Sequence, residues 1–189
     1  MLEDNRFSLC VTGHRPNQLF GYDIYSKKYD LIREKLEKVM VSESQRAYDK
    51  YGVDTFRYIS GMALGVDTIF FETALWLREH SGDFTVQVVA AVPFLGQESA
   101  WPRESRKQYH ELLEQADETI IVSKGSYEPW KMQRRNEFMV DHSDVVLAIY
   151  NGAKFGGTKN CVDYARRQNK ELIIINPRSG DISWPDCRT

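Results

Sequence analysis

Residues 56–77 read FRYISGMALGVDTIFFETALWL. The first five residues form a short apolar run that predicts a buried strand, and a turn with two glycines follows it. After the turn, apolar side chains recur every three to four residues, as on one face of a helix: Val66, Ile69, Phe70, Ala74 and Leu77. A strand, a glycine-containing loop and a helix in this order form the repeating unit of an α/β fold.

The same unit recurs along the chain. Five further apolar runs predict strands, at residues 7–12, 84–92, 118–122, 145–150 and 172–175. Helical spacing is found between the strands, at residues 25–50, about 103–116, 130–142 and from the glycines near 156 to about 168. Strands that are apolar on both faces and alternate with helices predict a mostly parallel sheet of about six strands with helices on both faces. Such sheets bind ligands in the crevice beyond the carboxyl ends of their strands.

Length and composition limit the class of protein. At roughly 150 residues per domain, the 189 residues correspond to one domain, which we place at residues 1–177, with a loosely held tail at 178–189. Hydrophobic residues make up 42% and charged residues 28%, values that exclude a disordered, collagenous or coiled-coil chain. The formal net charge of -2 argues against a surface built entirely for nucleic acid, although a local basic groove remains compatible with it.

Metal, disulfide and membrane signals are missing from the sequence. Cys10, Cys161 and Cys187 form no CxxC pair, and the four histidines show no HExxH spacing, so we expect neither a disulfide framework nor a metal site. No apolar run approaches 18 residues and the start MLEDNR does not resemble a signal peptide. We therefore predict a cytoplasmic protein without a membrane partner.

Polar groups follow the first predicted strand in the sequence TGHRP, residues 12–16. Gly13 permits a tight turn, and the polar side chains of Thr12, His14 and Arg15 would then lie at the crevice. An arginine in this position could bind a phosphate or a carboxylate through two parallel hydrogen bonds. The alternative is an ordinary turn in which the side chains of His14 and Arg15 are solvated or bonded to backbone carbonyls.

A second polar loop, SGMALGVD at residues 60–67, follows the next strand. Gly61 and Gly65 would expose backbone N–H groups at the positive end of a helix, which is a suitable anion site. The spacing is neither the dinucleotide-binding GxGxxG nor a phosphate-binding P-loop. Ser60 begins the loop, and Asp67 either stabilises the first helical turn or accepts hydrogen bonds from a ribose or a base.

A third loop, FGGT at residues 155–158, precedes the last predicted helix. Thr158 is either the N-cap of that helix or, with the amides of Gly156 and Gly157, part of a phosphate site. Two glycine-rich loops at one sheet edge, beside a Gly-His-Arg loop, favour a phosphorylated ligand. Three aromatic side chains are candidates for stacking on a base, the alternative being a half-buried aromatic patch: Trp101, Tyr127 and Trp130.

Five motifs occur in an order that resembles the YpsA/YoqJ-like branch of the SLOG superfamily: TGHRP, SGMALGVD, PFLGQESAWP, RRNEFMVDHSDVVLAIYNG and GGTKNCVDYA. The resemblance extends over residues 7–177 and implies a single Rossmann-like domain, commonly a homodimer, in bacterial or prophage proteins. The superfamily includes DNA-processing protein A, whose GRNR-like stretch resembles Arg134, Arg135 and Asn136. It also includes the LONELY GUY phosphoribohydrolases, whose catalytic arginine corresponds to Arg135.

The sequence departs from the phosphoribohydrolase pattern at its catalytic glutamate. Lys159, Asn160 and Cys161 follow Thr158, so no glutamate stands in register, and this argues against that activity. The catalytic residues are therefore unassigned, and Asp67 and Glu72 are candidates beside Arg135.

The hypothesis that combines these patterns is a binding module for a nucleotide or a nucleotide-derived, ADP-ribose-like molecule, with no further cofactor required. Its site would lie at the carboxyl edge of the sheet, where Arg15 and Arg135 neutralise phosphate and Asp67 fixes a ribose. The protein would act as a sensor or would sequester the ligand. The alternatives are a nucleotide N-glycosidase and a single-stranded DNA binder, which the charge balance disfavours. The ligand-binding residues are predicted to be Gly13, His14, Arg15, Ser60, Gly61, Gly65, Asp67, Arg135, Asn136, Gly156, Gly157 and Thr158.

Overall fold

A computed structural model describes residues 5–184 and contains a seven-stranded sheet in the order β4-β3-β2-β1-β5-β6-β7. All neighbouring strands run parallel except β7, which is antiparallel to β6. The strands are β1 (Arg6–Gly13), β2 (Thr55–Ser60), β3 (Thr85–Val92), β4 (Glu118–Ile121), β5 (Val145–Ile149), β6 (Glu171–Ile175) and β7 (Ile182–Ser183).

In the described part of the chain, five α-helices cover the two faces of this sheet. They are α1 (Asp30–Tyr51), α2 (Val66–His80), α3 (Arg103–Leu113), α4 (Pro129–Asp141) and α5 (Gly157–Arg167). Successive side chains of a strand point to opposite faces: Leu9 and Val11 of β1 pack with α1, α2 and α3, whereas Cys10 packs with α4 and α5. The predicted α/β architecture, with a mostly parallel sheet covered on both faces, is thus confirmed.

The first helix begins later than the sequence predicts. The spacing suggests a helix from residue 25, but α1 starts at Asp30 after a 3-10 turn at Lys27–Tyr29. Tyr25 is exposed, whereas Tyr29 is buried and its hydroxyl donates to the carbonyl of Gly21 at 2.6 Å. A 3-10 turn continues the spacing of three, so the apolar pattern could not mark the start of the helix.

The seventh strand was not predicted, because it lies in the segment 178–189 that the sequence suggests is loosely held. Ile182 pairs with Ile175 of β6, and Asn176 donates its backbone N–H to the carbonyl of Asp181 at 2.9 Å. The short strand covers the edge that β6 would otherwise leave open. Residues 185–189, including Cys187, lie outside the described part of the chain.

The strand order places a crevice beside β1. The chain proceeds from β1 outward to β4 and then returns to β5 on the other side, so the order reverses between β1 and β5. Gly13, at the end of β1, pairs in register with Ile149, at the end of β5. Ligands of open α/β sheets bind at such a reversal, so we expect the site to lie among the loops that follow β1 and β5.

Residues 5–184 lack two further features. None of the helices there combines the length and hydropathy needed to cross a bilayer. The same residues contain no group of three or more histidine, cysteine, aspartate or glutamate side chains arranged to hold a metal ion.

Candidate functional site

A cavity of about 230 Å³ opens at the carboxyl edge of the sheet. Four segments form its wall: the end of β1 with the loop after it, the loop before α2, the inner face of α4 and the start of α5. The lining residues are Val11, Thr12, Gly13, Arg15, Asn17, Gln18, Ala63, Asp67, Met132, Arg135, Asn136, Met139, Gly156, Gly157 and Thr158. The structure therefore brings together eight of the twelve residues predicted to bind ligand.

A buried ion pair forms one side of the cavity. Nη1 of Arg135 lies 3.6 Å from Oδ2 of Asp67, and both side chains are buried. The same oxygen of Asp67 accepts a hydrogen bond from the backbone N–H of Ala63 at 3.2 Å. Arg135 also donates to the backbone carbonyl of Gly61 and, through Nε, to Oδ1 of Asn136 at 3.1 Å. The pair thus ties α4 to the loop between β2 and α2.

Burial and charge act in opposite directions on these two groups. Burial raises the pKa of Asp67, while the guanidinium of Arg135, the N–H of Ala63 and the charge of Arg15 oppose the rise. Burial likewise lowers the pKa of Arg135, and the carboxylate of Asp67 is the largest influence in the other direction. Each charge is therefore supported mainly by the other, so a ligand phosphate would have to compete with Asp67 for Arg135.

Arg15 is the cation that stays available. Its side chain is exposed and lines the cavity, and within residues 5–184 its guanidinium makes neither a hydrogen bond nor an ion pair. The backbone beneath it is well held, because its carbonyl accepts the N–H of Gln18 at 2.9 Å and Pro16 begins a 3-10 turn. A fixed backbone with a free guanidinium suits the binding of an anion.

The start of α5 supplies backbone donors to the same cavity. The helix has Gly156 as its N-cap with φ of 111°, a conformation that favours glycine, and no side chain caps its first turn. Thr158 is the second helical residue and is buried, so the interpretation of Thr158 as the N-cap is wrong. Uncapped N–H groups at a helix start attract negative charge.

The glycines of the loop before α2 serve a different purpose from the one suggested by the sequence. Neither Gly61 nor Gly65 lines the cavity. A Cβ atom on Gly61 would overlap the guanidinium of Arg135, so this glycine lets the guanidinium approach the backbone. Gly65 has φ of 98°, and its Cβ would lie 2.9 Å from Cδ of Pro16. Both positions require the absence of a side chain.

Ser60 and His14 likewise hold the loops together. The hydroxyl of Ser60 donates to the carbonyl of Asp67 at 2.8 Å and accepts the N–H of Met62 at 3.2 Å. His14 is buried, with Nδ1 3.1 Å from Oε1 of Gln18 and Nε2 2.8 Å from Oδ1 of Asn151. The histidine therefore links the loop after β1 to the loop after β5 without lining the cavity.

The three predicted stacking residues are not brought together. Trp101 is half-buried and lines a second cavity of about 230 Å³, which also includes Arg15. Tyr127 and Trp130 are exposed and line neither cavity. The Nε1 of Trp130 donates to Oε2 of Glu128 at 2.8 Å.

Glu72, one of the catalytic candidates, lies outside the cavity. Its Oε1 accepts hydrogen bonds from the hydroxyl of Tyr25 at 2.6 Å and from Nε2 of Gln108 at 2.9 Å. Asp67 is the one carboxylate among the residues that line the cavity.

Sequence reasoning missed several lining residues. Asn17 and Gln18 directly follow the TGHRP motif, and their amide groups could have been included on that ground. Thr12, which the TGHRP motif places at the crevice, does line the cavity. Met132 and Met139 have an apolar spacing that cannot be distinguished from that of core residues.

Comparison with known proteins gives a consistent result. The model of a family described as the YspA SLOG family matches residues 9–178. The chain is 34% identical over 128 residues to the uncharacterized SPbeta prophage-derived protein YoqJ of Bacillus subtilis (strain 168), a match that covers 59% of this chain and 70% of that protein. It is 29% identical over 181 residues to a UPF0398 protein of Halalkalibacterium halodurans, covering 93% of this chain and 90% of the relative.

Two solved structures share the fold. DNA processing protein A from Streptococcus pneumoniae superposes with a TM-score of 0.58 at 17% identity, covering 90% of this chain and 50% of that one. The Helicobacter pylori protein of the same name is described for its single-stranded DNA binding mode. It superposes with a TM-score of 0.56 at 17% identity, covering 93% of this chain and 67% of that one. This chain therefore spans half the length of the first structure and two thirds of the second, and the likeness is one of fold.

Proposed function

The chain belongs to the YspA SLOG family, and from this membership and the geometry of the cavity we propose that it binds a nucleotide or a nucleotide-derived, ADP-ribose-like molecule. The observation that carries the proposal is that Arg15 and the start of α5 line the same cavity. Among residues 5–184, the Arg15 guanidinium has no hydrogen-bond or ion-pair partner and the first turn of α5 has no side-chain cap; both line one cavity, and both favour an anion.

The polar wall of the cavity suits a sugar phosphate. Side-chain amides and a hydroxyl are contributed by Asn17, Gln18 and Thr158, and these groups can donate to and accept from ribose hydroxyls. Oδ2 of Asp67 is bound to Ala63, but within residues 5–184 its Oδ1 accepts no hydrogen bond. This oxygen supports the predicted contact of Asp67 with a ribose.

The size of the cavity supports a ligand that is only partly enclosed. Its volume of about 230 Å³ lies below the roughly 300–1,000 Å³ of sites that bury a drug-sized molecule. A phosphate and a ribose fit this space, while a base would remain outside it. Ligand binding without turnover would make the protein a sensor or a sequestering module, acting alone or as the predicted homodimer.

We expect Arg15→Ala to weaken the binding of ADP-ribose and AMP by about ten- to a hundredfold. The reason is the loss of a charge-assisted hydrogen bond, which contributes roughly 1.5–3 kcal/mol. The free energy of unfolding should change by less than about 0.5 kcal/mol, because the guanidinium is exposed and bonds to no described residue. Isothermal titration calorimetry and urea unfolding of the same samples measure both quantities.

Arg106→Ala is the matched control for this experiment. Arg106 is an exposed arginine of α3 that lines neither cavity and forms no ion pair with a described residue. Equal weakening by both variants would contradict a specific role of Arg15 and would indicate only a general effect of charge.

The two alternative functions give different results in the same titrations. Chromatography of AMP after incubation would show free adenine if the protein were an N-glycosidase, and the product would then have to depend on Asp67, the one carboxylate of the cavity. An oligonucleotide of about ten thymidines would bind with a steep loss of affinity in rising salt if the protein were a single-stranded DNA binder. We expect AMP to be recovered unchanged and the oligonucleotide to bind more weakly than the nucleotide.

A further inference from the structure

We propose that the base of the nucleotide binds outside the phosphate cavity, in the second cavity, between the rings of Tyr22 and Trp101. The inference rests on the proposed function and adds a location for the base. It assigns Tyr22, which the sequence did not single out, and it selects Trp101 among the three predicted stacking residues.

Position is the first argument for this assignment. The second cavity has a volume of about 230 Å³ and is lined by Arg15, Pro16, Tyr22, Leu64, Ala100, Trp101 and Pro102. Arg15 is the one residue that lines both cavities. With its phosphate at the start of α5 and its ribose beside Asp67 and Arg15, a nucleotide would therefore direct its base, which is attached to the ribose, across this boundary into the second cavity.

The chemistry of the lining is the second argument. Apart from Arg15, the second cavity is formed by two aromatic rings and by apolar side chains, whereas the described lining of the first includes side-chain amides, hydroxyls and charged groups. Flat heteroaromatic rings stack on aromatic side chains whatever their hydrogen-bonding edge, and a nearby guanidinium adds a cation–π contribution. The second cavity therefore suits a nucleobase, and we expect it to discriminate little between bases.

The two rings differ in how firmly they are held. Trp101 packs edge-to-face against Tyr109, with ring centroids 5.4 Å apart and an interplanar angle of 83°. Tyr22 is 65% exposed and is free to turn toward a ligand. One fixed wall and one adjustable wall would admit bases of different size.

Two other exposed aromatic side chains, Phe155 and Tyr127, lack a comparable setting. Phe155, in the loop before α5, is 85% exposed and lines neither cavity. Tyr127 contacts Phe94, with ring centroids 5.8 Å apart, and also lies outside both. A base on either residue would be open to water on its other face.

The experiment compares AMP with ribose 5-phosphate, which lacks the base. We expect Tyr22→Ala to weaken AMP binding about tenfold, which corresponds to about 1.4 kcal/mol of lost stacking, and to leave ribose 5-phosphate binding unchanged. Tyr51→Ala, a change at the exposed end of α1, is the control and should alter neither affinity.

Tryptophan fluorescence supplies a second, independent measurement. AMP should quench the emission of the wild-type protein, Trp101→Phe should abolish the change, and Trp76→Phe, on α2 and outside both cavities, should retain it.

The possible failures can be told apart. If neither AMP nor ribose 5-phosphate binds the wild-type protein, the proposed function is overturned and the inference falls with it. If both bind but Tyr22→Ala leaves AMP affinity unchanged, or if Trp101→Phe still shows quenching, the base lies elsewhere and only the inference is overturned. A specific loss of AMP affinity in Phe155→Ala would also overturn it and would move the base to the loop before α5.

Discussion

Replacement of Arg135 by alanine is expected to lower the free energy of unfolding by about 3–5 kcal/mol, the effect of leaving one partner of a buried ion pair uncompensated. The variant would keep the carboxylate of Asp67 buried without its guanidinium and would remove the donor to the carbonyl of Gly61. Urea unfolding at pH 7 measures the change. Arg134→Ala is the neighbouring control, and its exposed side chain predicts a change of less than about 0.5 kcal/mol.

The loss of stability in Arg135→Ala should depend on pH. Burial raises the pKa of Asp67, and in the variant the charge that chiefly opposes this rise is gone. A carboxyl group with a raised pKa in the folded state binds more protons when folded than when unfolded, so stability falls as pH rises from about 4 through the folded-state pKa. The destabilisation relative to the wild type should therefore be smaller at pH 4.5 than at pH 7.

A second substitution separates charge from packing. Adding Asp67→Asn to Arg135→Ala removes the unpaired carboxylate, and we expect this to restore part of the lost stability and to abolish the added pH dependence. If the free energy of unfolding of Arg135→Ala varied with pH as that of the wild type does, this result would contradict the view that Asp67 and Arg135 support each other's charge.

Gly13→Ala is expected to destabilise the protein by about 1–3 kcal/mol through overpacking. A Cβ atom at this position would lie 2.5 Å from Cβ of Val66 and 2.6 Å from both of its methyl groups. Neither side can move easily, because β1 is hydrogen-bonded to β2 and β5 and Val66 is the buried first residue of α2. Thermal and urea unfolding measure the effect.

Gly157→Ala is the matched control for Gly13→Ala. A Cβ atom on Gly157 would have no heavy atom within 4 Å beyond its own helix and chain neighbours, and the residue begins α5. We expect the free energy of unfolding of Gly157→Ala to be unchanged or slightly higher than that of the wild type, since alanine is favoured over glycine in a helix. If the two variants lost equal stability, the cause would be the removal of glycine itself and not the close approach of β1 to α2.

The fold could be predicted from the sequence because its signals are local. Each strand of the sheet except β7 carries its own apolar run, and each helix except the start of α1 carries its own spacing. Ile182–Ser183 is a two-residue strand, too short for any pattern, and it exists only because β6 offers it an open edge. The start of α1 was missed because a 3-10 turn and an α-helix share the same approximate spacing.

The site could be predicted in part for a related reason. Parallel strands place their carboxyl ends at one edge, so the loops with Gly13, Asp67 and Gly156 had to meet there once the strands were identified. The roles of the loop glycines could not be derived in this way. In the sequence, Gly61 resembles a phosphate-binding glycine. In the structure its backbone contacts the guanidinium of Arg135, a residue of α4 that reaches this loop only in the folded chain.

Local patterns in the chain were therefore enough to predict the α/β architecture and the sheet edge at which the polar groups gather. The tertiary structure decided how these groups are divided between the fold and a ligand. Arg15 and Arg135 carry the same guanidinium, but Arg135 lies buried 3.6 Å from Asp67, whereas Arg15 is exposed and unpaired among residues 5–184. The physical reason is that the availability of a charge depends on its distance from other charges and from water, and both distances are set only when separate segments of the chain pack together.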